Sequence, residues 1–116
     1  MTYPRRGEIY LVSFDPTVGH EIQKTRPAIV IQNDIGNRLS PVTIVAAITS
    51  RVTPHPVKVM VSPTKGNGLS VLSAIHLAQI RTVDRVRLVK KLGSVDADIL
   101  RRVDEAIQIS LGLIEL

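Results

Sequence analysis

The feature that most constrains this chain is a single change in apolar spacing at Asp96. Upstream, short apolar segments are cut apart by breaks containing Pro, Gly, Asn or Asp. They are GEIYLVSF (7–14), PAIVIQN (27–33), VTIVAAITS (42–50), VKVMVS (57–62), SVLSAIHLAQI (70–80) and VRLVKKLG (86–93). Each has the length of a strand, and the third is β-branched through its centre. Segment 7–14 is apolar on both sides, as an interior strand requires. Pro27 has no N–H to give a ladder, so it belongs at the first residue of its strand. Residues 15–25 and 51–56 read as loops, 34–41 as a turn-rich connection and 63–68 as a further loop. Downstream of Asp96, Ile99, Leu100, Val103, Ile107, Leu111 and Ile114 recur at helical intervals. Acids gather in the first turns, where the helix dipole favours them, and Ser94 or Asp96 is placed to cap. Five to seven short antiparallel strands and one C-terminal helix describe a mainly β chain whose small sheet curls into a partly open barrel. The helical stripe can face that barrel or a second copy of the chain, and the apolar ending LGLIEL favours a homodimer. With no repeat, low-complexity tract or linker, residues 1–116 read as a single domain.

Composition narrows the chemistry. Aromatics are confined to Tyr3, Tyr10 and Phe14, so Val, Ile and Leu must build the core. There is no cysteine, hence no disulfide framework and no thiolate-bound metal. No apolar run approaches the roughly 20 residues that span a bilayer, and the first ten residues do not resemble a secretion signal. A cytoplasmic protein with no membrane partner is expected. Net charge is +5 and unevenly spread. Residues 1–94 hold thirteen Lys/Arg against five Asp/Glu, whereas 95–116 hold two against five. A basic body of this kind suits a polyanion or an acidic protein.

Three histidines without ligand spacing, no phosphate-cradling glycine loop and no nucleophile elbow argue against metals, nucleotide cofactors and a serine triad. What remains is the loop before the second strand, with His20, Glu21, Lys24, Thr25 and Arg26. His20 titrates near neutrality, Glu21 becomes a base if its surroundings raise its pKa, and Arg26 presents a permanent cationic fork to phosphate oxygens. Thr49, Ser50 and Arg51 close the third strand with two hydroxyls beside a cation, which also suits a phosphate. Blander readings stand beside these. Lys24 and Glu21 can be solvated, Arg26 can pair with Glu8 or Asp15, His20 can serve only a turn, and His76 reads as a satisfied structural histidine.

These same segments resemble the MazF/PemK family of toxin endoribonucleases. RRGEIYLVSFDPTVGHE is similar to the family's opening strand and loop, TRPAIVIQND to its Arg-Pro strand and VTIVAAITS to its Ile-Thr-Ser strand. AQIRTVDRVRL is similar to its Gln-x-Arg-Thr segment, and VDEAIQISLGL to its last helix. The resemblance covers essentially the whole chain and favours the MazF-type branch. It implies an SH3-like, partly open barrel of the type shared with gyrase-poison toxins, and a homodimer with an interfacial groove. The implied activity is sequence-specific cleavage of single-stranded RNA, chiefly messenger RNA, without a metal or cofactor. In that reaction the ribose 2′-hydroxyl attacks the adjacent phosphate, leaving 2′,3′-cyclic phosphate and 5′-hydroxyl ends. It also implies an acidic antitoxin occupying the same groove.

By the same resemblance, Arg26 and Thr49 are catalytic, and His20 and Glu21 touch the scissile region. Gln79 and Arg81 line the RNA path, and Lys24, Thr25, Ser50 and Arg51, taken from the chemistry of the loop and strand end above, are expected to bind RNA beside it. The PemK-type branch carries an arginine and an aspartate where this chain has His76 and Ala78, and Ala78 cannot move a proton. Arg26 is then expected to stabilise charge, His20 or a water to donate a proton, and Glu21 or His20 to accept one. Two alternatives remain: a non-catalytic toxin of the same fold that poisons DNA gyrase, and an inert nucleic-acid-binding barrel.

Overall fold

A computed structural model describes residues 2–16, 18–21 and 24–115. Thr17, Ile22 and Gln23 of the expected 15–25 loop, and Leu116 of the apolar ending, lie outside the described residues. Six strands form one sheet: β1 (Glu8–Ser13), β2 (Thr25–Val30), β3 (Val42–Thr49), β4 (Lys58–Val61), β5 (Ser73–Asp84) and β6 (Leu88–Ser94). Their order is β4-β5-β3-β2-β1-β6, and every neighbouring pair runs antiparallel. A helix follows β6, spanning Ala97–Ser110.

Two departures from the sequence reading have physical causes. Residues 34–41 are not simply a turn-rich connection. A one-and-a-half-turn helix, α1 (Asp34–Leu39), forms there because the Asn33 carboxamide accepts from the Gly36 amide at 2.8 Å and caps it. The long helix is therefore α2. Pro27 is the third residue of β2, not the first. Ladder pairing with β3 begins only at Ala28, so on that side the sheet asks no N–H of Pro27.

Both faces of the central strands are buried, in line with their continuous apolar character. One face joins Ile9, Ile29, Ala46, Ile48, Val59, Ile75 and Leu77 to Val103 and Ala106 of α2. The helical stripe thus packs on its own sheet, and Asp96 is the cap, accepting from the Ile99 amide at 2.9 Å. Leu111, Leu113 and Ile114 stay exposed beyond the helix. The other face joins Val12, Phe14, Ala28, Val30, Val45, Ala47 and Val83.

The sheet is open between β4 and β6, and the 62–69 turn crosses the gap. The Ser94 amide donates to the Gly66 carbonyl at 2.9 Å. Buried Asn67 ties the turn together through the Thr64 and Leu69 amides and the Ser62 carbonyl. At the crossing the backbones nearly touch. A Cβ on Gly93 would lie 2.2 Å from the Gly66 carbonyl oxygen, and one on Gly68 would lie 2.1 Å from that of Leu92.

One irregularity organises the site. Ala46 pairs with Ile80 and the next residue, Ala47, with His76, so Leu77, Ala78 and Gln79 are surplus on β5. Up to and into this bulge the odd residues Ile75 and Leu77 face α2. After it the even residue Ile80 does. The bulge therefore inverts the alternation, letting His76 and Arg81 share the face opposite the helix.

Candidate active site

Side-chain parity brings the candidate residues together. On β2, Ala28 and Val30 lie on the face away from α2, so Arg26 does too. On β3, Val45 and Ala47 mark that face, and Thr49 follows them. Continuing the Ala28–Ala47 register by two residues sets Arg26 opposite Thr49. The next strands extend the row, with Ala47 opposite His76 and His76 opposite Lys58. Ala28, Ala47 and Ala74 are buried in this part of the sheet. Their short side chains leave room above the backbone where longer residues would fill it.

The room is a hollow of about 440 Å³ lined by His20, Arg26, Thr49, Ser50, Arg51, Lys58, His76 and Gln79. None of these residues is acidic, and three are permanently cationic at neutral pH. A phosphodiester anion is the natural occupant of such a surface. The Thr49 hydroxyl accepts from the Arg51 amide at 3.1 Å, which fixes the oxygen at the strand end and leaves its proton to donate. Gln79 enters from the β5 bulge and also lines a smaller hollow of about 60 Å³, formed with Phe14, Glu21, Ala47, Ile80 and Arg81.

His20, Arg26, Thr49, Ser50, Arg51 and Gln79 thus meet around one space, although they come from three segments. Glu21 lies next door, where its carboxylate accepts from the Val18 amide at 2.8 Å. Arg81 shares that smaller hollow and donates to the Phe14 and Pro16 carbonyls at 2.6 and 3.3 Å. Lys24 and Thr25 are exposed and line neither hollow. Lys24 instead closes the loop. Its amide donates to Asp15 Oδ1 at 3.0 Å and its carbonyl accepts from the Phe14 amide at 2.9 Å, with φ at +67°. Of the possible partners for Arg26, Glu8 is engaged by the Arg5 amide, the Tyr10 hydroxyl and Lys91.

Two further residues line the hollow: Lys58, which lies outside the candidates that the sequence offers, and His76, which reads there as structural. The signal was present in the alternation: Val57, Val59 and Val61 on one side, Ile75 and Leu77 on the same side, and the polar residue between them on the other. His76 is half-buried, and its Nδ1 accepts from the Ala78 amide at 3.3 Å, so the neutral ring carries its proton on Nε2. Burial, then the charges of Lys58 and His55, hold its pKa below the ordinary 6.5. Among the described residues no group of three His, Cys, Asp or Glu is gathered to hold a metal ion. No helix among them is long and apolar enough to cross a membrane.

Known proteins resemble this chain over nearly its whole length. Endoribonuclease EndoA of Bacillus subtilis is 46% identical over 112 residues, covering 96% of this chain and 97% of the relative. The crystal structure of MazF from Deinococcus radiodurans superposes with a TM-score of 0.83 at 26% identity, over 97% of this chain and 99% of the other. An endoribonuclease from Mycobacterial species, in complex with its cognate antitoxin, shares the fold at 20% identity. Its TM-score is 0.81 over 97% of this chain and 99% of that one. The family described as PemK-like, MazF-like toxin of type II toxin–antitoxin system matches residues 5–111. On that span, and on a relative matched almost end to end, this chain belongs to the PemK-like, MazF-like toxin family of type II toxin–antitoxin systems.

Proposed function

We propose that residues 1–116 act as one toxin domain, a cytoplasmic endoribonuclease that cuts single-stranded RNA without a metal. The observation that carries this reading is the convergence of Arg26, Thr49 and His20 on one acid-free hollow of phosphate-binding character. In the reaction, the ribose 2′-hydroxyl attacks the adjacent phosphorus, the bond to the 5′-oxygen breaks, and a 2′,3′-cyclic phosphate forms. Arg26 and the Thr49 hydroxyl stabilise the charge that grows on the non-bridging oxygens. His20 gives its proton to the departing 5′-oxygen, and Glu21, one residue along the loop, accepts the 2′-hydroxyl proton. Ser50, Arg51, Lys58 and Gln79 hold the flanking backbone and bases.

Partners follow from the same surface. A cationic hollow accepts an acidic antitoxin segment as readily as RNA, so the two compete. Exposed Leu111, Leu113 and Ile114 supply apolar area for a homodimer. A gyrase poison has no use for the Arg26–Thr49 pair, so the convergence favours the nuclease.

The test is incubation of the protein with a long single-stranded RNA in EDTA. Discrete cuts bearing 5′-hydroxyl and 2′,3′-cyclic phosphate ends, lost in Arg26→Ala, are expected. Retention of the RNA without cutting sinks the nuclease reading and leaves a binder.

A further inference from the structure

Where β1 ends and the His20 loop begins, two arginines divide four consecutive carbonyls between them. Arg87 donates through Nη1 to Ser13 at 3.0 Å and to Asp15. Arg81 donates through Nη1 to Phe14 at 2.6 Å and through Nη2 to Pro16 at 3.3 Å. Directly above, the loop is closed by the Phe14 amide on the Lys24 carbonyl and the Lys24 amide on Asp15 Oδ1, at 2.9 and 3.0 Å. The Arg81 guanidinium also sits 5.9 Å from the centroid of the Phe14 ring. Both arginines are half-buried, one on β5 and one on the turn before β6.

We propose that Arg81 and Arg87 are positioning residues that together hold the root of the 14–24 loop so that His20 stands over the phosphate hollow. The inference rests on the reading of His20 as proton donor to the leaving 5′-oxygen. The planar guanidinium of Arg81 reaches its two carbonyls from two nitrogens at a fixed spacing, which a lone ammonium nitrogen does not, and Arg87 bridges its two from Nη1 alone. Alternate carbonyls are taken from two different elements, so the loop root is held against both sliding and rotation. An ordinary strand end is left to water and carries no such support. Arg81 directs two donors at protein backbone, which sets it apart from the RNA-contacting role expected from its sequence position.

The test compares Arg81→Lys, Arg87→Lys and His20→Ala on RNA with an ordinary scissile linkage and on RNA whose leaving 5′-oxygen is replaced by sulfur. A thiolate departs without protonation. On the ordinary linkage each arginine variant is expected to lose kcat by about 10-fold to 100-fold with KM within about twofold. On the sulfur linkage His20→Ala is expected to approach the unmodified protein, and each arginine variant to recover the part of its loss that passes through His20, keeping only the part that passes through Glu21 on the same loop. Equal losses on both linkages, no loss, or a raised KM at unchanged kcat in the arginine variants overturns the clamp. If sulfur rescues His20→Ala but not the arginine variants, the clamp alone is wrong. If His20→Ala cuts the ordinary linkage at full rate, the proton-donor assignment fails and takes the clamp with it. Arg81→Gln, also compared on both linkages, serves as the second variant should a lysine substitution fold poorly.

Discussion

Lys58 and His76 face each other across the β4–β5 ladder, and both line the hollow that holds Arg26 and Thr49. The pair places a permanent positive charge beside a half-buried imidazole whose Nδ1 already accepts a backbone amide. Protonating His76 must break that hydrogen bond and set two cations together, so the fold favours the neutral ring. At neutral pH the ring then offers an N–H to a phosphate oxygen and adds no charge.

The pH dependence follows with its sign. His76 takes a proton less readily in the fold than in the unfolded chain, where its pKa is near 6.5. Below about pH 6.5 the unfolded chain therefore binds more protons, and stability is lost in that direction. Above pH 6.5 the contribution is complete. His76→Asn is expected to flatten the acid limb of a plot of Tm against pH, and Lys58→Met to move the His76 NMR titration upward toward 6.5. A titration that stays put in Lys58→Met contradicts the coupling.

Thr49 is half-buried, and its hydroxyl is placed by the Arg51 amide. Thr49→Val keeps the shape and removes the donor. Cleavage should fall by about 10²- to 10³-fold, the size found for a lost oxyanion donor, whereas Thr49→Ser should stay within about tenfold. Single-turnover assays on one RNA, with Tm recorded alongside, check that the loss lies in chemistry.

Gly93 has no space for a methyl group, because backbone atoms of Gly66 and Asn67 stand 2.2 to 2.9 Å from its missing Cβ. Gly93→Ala must part β6 from the 62–69 turn. A loss of about 3 kcal/mol or more is expected in urea unfolding, against about 1 kcal/mol for alanine at Gly19, where the space is open and only the φ of +60° strains a side chain.

Asn37 is fully buried on α1 and makes four side-chain hydrogen bonds. It donates to the Gln32 carbonyl at 2.9 Å and to Asp34 at 3.2 Å, and it accepts from Gln32 at 3.0 Å and from Thr43 at 2.7 Å. Asn37→Leu strands the buried Thr43 hydroxyl and is expected to cost about 2 to 4 kcal/mol by denaturant unfolding. Combining Asn37→Leu with Thr43→Val should recover part of that loss, since the orphaned hydroxyl goes with its partner. A strictly additive double variant would argue against the network.

The strand pattern was legible because apolar segments of the right length are separated by residues that break ladders, and α2 because its spacing changes period at Asp96. Helix α1 was hidden. Gly36 and Asn37 are poor helix formers, and the helix exists through the Asn33 cap and the buried Asn37 bonds, which involve residues brought near by the fold. Arg26, Thr49 and His20 were found by motif, since nothing in local spacing says that strand ends 23 positions apart will meet. Lys58 and His76 needed strand register, which alternation suggests only after β4 and β5 are paired. Arg87 was out of reach entirely. Its carbonyl partners lie more than 70 positions earlier in the chain and carry no side-chain signature.

The bulge at Leu77, Ala78 and Gln79 gives this stretch slack in its reading length. Downstream, the ladder to β3 decides which way each side chain looks, with Ile80 answering Ala46 and Arg81 answering Val45. Removing exposed Ala78 therefore shrinks the kink and leaves Ile80 toward helix α2 and Arg81 away from it. A lone deletion should be far more damaging in the paired stretch 80–84, where it turns every later side chain over.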